Sequence, residues 1–224
     1  MPAVADILRG VKRGVPIVLG YLPLGLAFGL LAREAGLTPG AVLGMSLLVF
    51  AGSAQFMAVA MLRQGAGFIP ITTATFFINL RHLLMSAALS PHLRRYGPGR
   101  LLALAHQLTD ESFALHSAAY QAGLDPSYAE MVALNSTAQA AWTLSTFTGN
   151  LLAGLLPNPT ALGLDFALPA MFIGLLAGRL TEAGESAVAA LAVVVTLVGA
   201  SVLPGNWNLI SAALLAAGLG MLRR

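Results

Sequence analysis

Apolar residues run through this chain in long uninterrupted blocks. Gly14–Ala32, Ala35–Leu62, Gln64–Leu80, Met131–Leu164 and Ser186–Leu222 contain no Asp, Glu, Lys or Arg. A helix needs about 20 mainly apolar residues to cross the hydrocarbon of a bilayer. The pattern predicts helical segments near residues 14–33, 41–62, 67–90, 128–156, 166–183 and 186–222. The last has length for nearly two spans and is divided by Pro204-Gly205-Asn206. Residues 99–126 also show apolar periodicity, but His106, Asp110, Glu111 and His116 make that stretch too polar for a simple lipid-facing span. The expectation is an all-α, polytopic helical membrane protein in one domain over residues 1–224, with about six full spans plus a broken or re-entrant segment.

Polar residues inside these segments fall in register. Thr72, Thr75, Asn79, His82 and Ser86 follow one another by three or four positions, as do Asn135, Gln139, Trp142, Thr146 and Asn150. Such spacing puts each set on one helix face. Interhelical hydrogen bonds, worth about 0.6 kcal/mol each, are one reading of these stripes, and a polar pathway is the other and the one favoured for the two together. Arg81 stands apart, because a charge at the bilayer centre costs at least roughly 2.5–3.5 kcal/mol. It must be functional, paired with an internal carboxylate, or snorkelling to the headgroups. His82 beside it is a ligand or proton carrier, or a hydrogen-bonded interior histidine. Thr109-Asp110-Glu111 reads as a helix N-cap with acids in the first turn. Alternatively, Asp110 or Glu111 neutralises Arg81 or takes a proton.

Lys and Arg in short loops mark the cytoplasmic side. Arg9, Lys12 and Arg13 place the N-terminus inside, Arg94, Arg95 and Arg100 place their loop inside, and Arg179, Arg223 and Arg224 do the same near the C-terminus. Both termini are then cytoplasmic. Three full crossings between the N-terminus and Arg94 would leave that loop outside, so one of segments 41–62, 67–90 or 99–126 departs from simple crossing. Phe50-Ala51-Gly52-Ser53-Ala54-Gln55-Phe56 is small and polar at the middle of its segment, and Asn79-Leu80-Arg81-His82 is polar at the middle of the next, so either is a candidate break. Gly52 and Ser53 suit a bend and Gln55 could cap freed backbone. Transporters place such breaks at substrate sites.

Composition agrees. Charged residues are 9% of the chain, against about 25% in soluble domains, so lipid is the expected solvent. There is no cysteine, which excludes disulfides and thiolate metal sites. The basic N-terminus leads into an apolar run interrupted by Pro23 and reads as a retained first span. Basic residues lie at span ends and form no nucleic-acid patch. No hydrolase motif, phosphate loop or metal-binding histidine pair is present, so neither an enzyme nor a cofactor or metal site is expected. The glycine pairs Gly25/Gly29, Gly40/Gly44 and Gly174/Gly178 permit close helix contact.

Gly20–Gly29 (GYLPLGLAFG), Phe50–Phe56 (FAGSAQF), Asn79–Ser86 (NLRHLLMS) and Leu108–Leu115 (LTDESFAL), in this order and spacing, resemble the AzlC family, the large subunits of bacterial branched-chain amino acid exporters. The resemblance implies an inner-membrane permease that works with a small AzlD-like membrane subunit and exports valine, leucine, isoleucine or methionine. For such a zwitterion, Arg81 and the backbone near Gly52, Ser53 and Gln55 suit the carboxylate, and Asn79 and Gln55 suit the ammonium. Phe56 and Trp142 suit the aliphatic side chain, and His82, Asp110 and Glu111 suit a coupled proton. A passive channel for small polar solutes is the alternative, and a scaffold for a partner is a third reading.

Overall fold

The computed structural model describes residues 2–155 and 183–202, with Phe166, Ile173 and Leu215. The chain divides into two units, Met1–Leu168 and Pro169–Arg224. The first holds α1 (Pro2–Glu34), α2 (Pro39–Gly44) with a π-helical turn (Met45–Val49), α3 (Gly52–Arg63), α4 (Phe68–Leu93), α5 (Pro98–His106), α6 (Asp110–Gln121) and α7 (Tyr128–Ala153). The second holds α8 (Ala183–Val202). Among the described residues there is no strand. The helix expected at 166–183, the one at 206–222, the break at Pro204 and the Gly174/Gly178 pair lie outside the described residues.

Two of these helices, over Val4–Glu34 and Phe68–Leu93, are long and apolar enough to cross a membrane. α7 matches α4 at 26 residues, but its polar stripe lowers its hydropathy. α1 continues unbroken through Pro16 and Pro23. An interior proline costs about 3 kcal/mol, and the contact between α1 and α7 offsets it. That contact is close because glycines remove the side chains between the helices. A Cβ on Gly25 would collide with Ser145, one on Gly29 with the backbone of Thr146 and Asn150, and one on Gly149 with Leu26. Gly10 meets Glu130 and Ala133 in the same way. Gly40 and Gly44 have nothing within 4 Å, so close packing is realised at Gly25/Gly29 alone of the two described pairs.

The segment at 67–90 is one continuous helix. The break falls in segment 41–62, where Phe50 takes left-handed φ 42°, ψ 49° between the π turn and α3. A second break separates α5 from α6 at Gln107–Thr109. Each broken segment returns to where it started. Glu34, at the end of α1, pairs with Arg63, at the end of α3, at 3.3 Å. Arg95, just after α4, pairs with Asp125, just after α6, through two guanidinium nitrogens, one of them at 2.6 Å. α2–α3 and α5–α6 are therefore two helical hairpins, hairpin 1 and hairpin 2. A 12-residue arm such as α3 or α6 is about 18 Å long, roughly half of a 30 Å hydrocarbon core.

Candidate functional site

The tips of the two hairpins meet between the middles of α1, α4 and α7. The π turn and the left-handed Phe50 take the Leu47 carbonyl out of the helical ladder. Gln139 Nε2 donates to it at 3.1 Å and His106 Nε2 at 3.0 Å. These two side chains, from α7 and hairpin 2, satisfy the backbone that Gln55 was expected to cap. Gln55 instead accepts from Trp142 Nε1 at 2.9 Å and donates to Ser46 Oγ at 3.3 Å. Ser46 and Thr146 share a hydrogen bond of 2.8 Å. Gln107 donates to Gln139 at 2.8 Å.

Arg81 lies at the centre of this junction. Its Nη1 pairs with Asp110 Oδ2 at 2.7 Å, and its Nη2 donates to Ser53 Oγ. The guanidinium thus ties the first turn of α3 to the first turn of α6. Both acidic-turn readings hold at once. Thr109 caps α6 in a reciprocal box with Ser112, while Asp110 supplies the internal carboxylate for Arg81. Glu111 is engaged differently: Tyr21 Oη donates to it at 2.6 Å and also lies 3.0 Å from Thr109 Oγ1. Arg81 Nε and Asn79 Oδ1 are buried with no partner, so hydrogen-bonding capacity remains beside the ion pair.

The other residues singled out in the sequence lie around this centre in different roles. Gly52 backs onto the Trp142 indole, where a Cβ would come within 3.2 Å of the ring. Phe56 and Trp142 are almost fully buried in an aromatic cluster with Phe28 and Tyr21. His82 is turned to its own helix, with Nδ1 3.2 Å from Asn79 O. Asn135 and Asn150, from the α7 stripe, bind His116 at 2.9 Å and the Gly29 and Leu37 carbonyls. The α7 stripe is thus an inward polar seam from end to end. Tyr21, Ser46, His106 and Gln107 are junction residues that the sequence reading did not assign to the site. Tyr21 stands in an apolar run with nothing to mark it, whereas His106-Gln107 is a polar pair next to an N-cap and carries that signal.

A cavity of about 360 Å³ opens beside hairpin 2, lined by Ser86, Leu89, Leu104, His116, Asn135 and Arg94 among others. Its size is at the lower end of small-molecule sites. Phe56 and Trp142 are not part of its wall. No cluster of three metal-ligating side chains occurs among the described residues.

Irregular backbone at membrane depth persists only where protein or a watery cavity satisfies it, and the junction meets that condition with side chains from every surrounding helix. The molecule is a helical membrane protein with its polar chemistry enclosed between broken helices. The family model described as AzlC protein matches residues 16–156, and the chain belongs to that family. The chain is 31% identical over 183 residues to the inner membrane protein YgaZ of Escherichia coli (strain K12), covering 78% of this chain and 74% of that one. It is 32% identical over 183 residues to an uncharacterized membrane protein of Archaeoglobus fulgidus, covering 75% and 73%. It is 28% identical over 160 residues to the branched-chain amino acid transport protein AzlC of Bacillus subtilis (strain 168), covering 71% and 62%. No solved structure matches the chain.

Proposed function

We propose that this chain is the large, permease subunit of a secondary transporter that exports small neutral amino acids, branched-chain ones above all, across the bacterial inner membrane. The observation that carries the reading is the Arg81–Asp110 pair, part-buried between two helix breaks and flanked by long apolar helices. A zwitterion is the natural substrate for such a pair. Its carboxylate replaces Asp110 on the Arg81 fork, which favours bidentate carboxylate binding, and its ammonium takes the released Asp110 carboxylate. The site stays neutral throughout, so no uncompensated charge is left at membrane depth. Ser53 and Asn79 complete the polar shell, and His82, Asp110 and Glu111 are the groups proposed to carry a coupled proton.

Both termini are proposed to be cytoplasmic, in one transporter domain of about six full spans over residues 1–224. A small AzlD-like membrane subunit is the proposed partner. It has a surface to cover, since Phe76, Phe77, Leu83 and Leu84 leave one side of α4 exposed and apolar. The name of the Bacillus subtilis relative supports the substrate class. The test is efflux of preloaded radiolabelled valine, leucine and methionine from cells with and without the gene, co-expressed with the partner. Faster loss of label with the gene supports the reading, and equal loss for all three sinks it.

A further inference from the structure

The two hairpins and the long helices that follow them repeat one another. α2 and α5 both open on Pro-Gly, at Pro39-Gly40 and Pro98-Gly99. Each hairpin breaks at its tip and continues as a helix of 12 residues. Those helices end alike: Gly65 and Gly123 take φ 74° and 73°, and the next residue, Ala66 or Leu124, donates back to Met61 or Ala119 at 3.0 Å. This is the left-handed glycine stop, used twice at the same place. A 26-residue helix follows in both, α4 or α7.

The two copies run in opposite directions. The mouth of hairpin 1 lies at the end of α1 and the start of α4, held by Glu34–Arg63. The mouth of hairpin 2 lies at the end of α4 and the start of α7, held by Arg95–Asp125. α4 separates the mouths by about 39 Å of helix, and the tips meet at its middle, on Arg81. The two sides of this junction differ. On the hairpin 1 side, Phe28, Phe56 and Trp142 close the interior. On the hairpin 2 side, the cavity wall runs from Arg94 and Leu101 at the mouth to Leu108 at the tip, next to the cap of Asp110.

We propose that residues 38–93 and 97–153 are one unit built twice in opposite directions across the bilayer, with the cavity beside hairpin 2 as the chamber through which a zwitterion with an aliphatic side chain reaches Arg81 from the cytoplasm, and hairpin 1 as the gate toward the outside. The apolar walls at Leu89, Leu93 and Leu104 take the side chain, and the polar end lies toward Ser86 and the junction. The chamber rests on the transport reading, whereas the opposed repeat does not, and the test separates them.

Single cysteines at Gln64, Ala122 and Ser90 are placed in this cysteine-free chain, in cells carrying the complete transporter. With a membrane-impermeant maleimide, Gln64→Cys labels on intact cells only, and Ala122→Cys and Ser90→Cys label on inside-out vesicles only. Saturating leucine slows labelling of Ser90→Cys at least several-fold and leaves Ala122→Cys unchanged, while glutamate slows neither. Labelling of Gln64→Cys and Ala122→Cys from the same side overturns the opposed repeat. Labelling of Ser90→Cys at the same rate with and without leucine, in vesicles that transport leucine, overturns the chamber. Vesicles with the opposed labelling pattern but no leucine transport overturn the transport reading and leave the repeat standing.

Discussion

Arg81 carries three distinct demands, and each answers to a different substitution. It is charged to balance Asp110 and forked to bridge Ser53 and Asp110, and the proposed transport cycle further needs it free enough to exchange a partner for a substrate carboxylate. Lysine keeps the charge and loses the fork, so Arg81→Lys is expected to lose most efflux at matched membrane abundance, and Arg81→Gln nearly all of it. Near-normal efflux by Arg81→Gln with the complex intact would mean the arginine is structural. Asp110→Asn leaves the guanidinium without its counter-charge. Breaking one partner of an enclosed pair is costlier than removing both. The expected result is low abundance for Asp110→Asn, recovery of abundance but not of efflux in the double variant Arg81→Gln/Asp110→Asn, both read by quantitative blotting and efflux. Equal abundance of single and double variants would show that the pair does not couple.

Among the elements, the seam between α1 and α7 and the open side of α2 at Gly40 make opposite forecasts from the same small-residue motif. Gly29 and Gly149 face backbone atoms that cannot move aside. Gly29→Leu or Gly149→Leu should separate the helices, at more than the roughly 1–3 kcal/mol usual for overpacking, and lower the detergent melting temperature sharply. Gly40→Leu meets nothing within 4 Å and should leave the melting temperature of the isolated chain within error. A comparable drop at Gly40 would contradict the seam as the main contact. The glycine spacing was readable in advance at Gly25/Gly29 and Gly40/Gly44, but spacing does not reveal which pair meets a neighbour. That depends on whether another helix lies opposite.

Across the whole molecule, the hairpin mouths are held by surface chemistry and the tips by enclosed chemistry, and pH should separate them. The Arg95 guanidinium, hydrogen-bonded to Asp125, holds that carboxyl below its ordinary range. A group depressed in this way adds stability above its unfolded value of about 3.9. The contribution is lost as pH falls through the lower folded value. The difference in melting temperature between the protein and Asp125→Asn should therefore be constant through neutral pH and close only in acid below that range. Closure already near neutral pH would show that the clasp does not hold hairpin 2.

The sequence by itself determined the solvent of this protein and marked several residues of the polar junction. Hydrophobic runs without charge require lipid, and a charge inside one of them is costly, so Arg81 stood out from cost alone, while its pairing with an acid was one of three readings left open. The Asp110–Glu111 turn and the small-residue break at Phe50–Phe56 were visible for the same reason, since backbone and charge must be satisfied wherever water is absent. Only the tertiary structure decided the pairings. That Asp110 takes Arg81 while Glu111 takes Tyr21, that Gln139 and His106 rather than Gln55 serve the freed Leu47 carbonyl, and that both polar segments fold back as hairpins all depend on contacts between residues far apart in the chain. Local pattern sets what each residue needs. Which of several chemically equivalent partners meets the need is settled by how the helices pack, and here the glycine seam between α1 and α7 and the two closed mouths settle it.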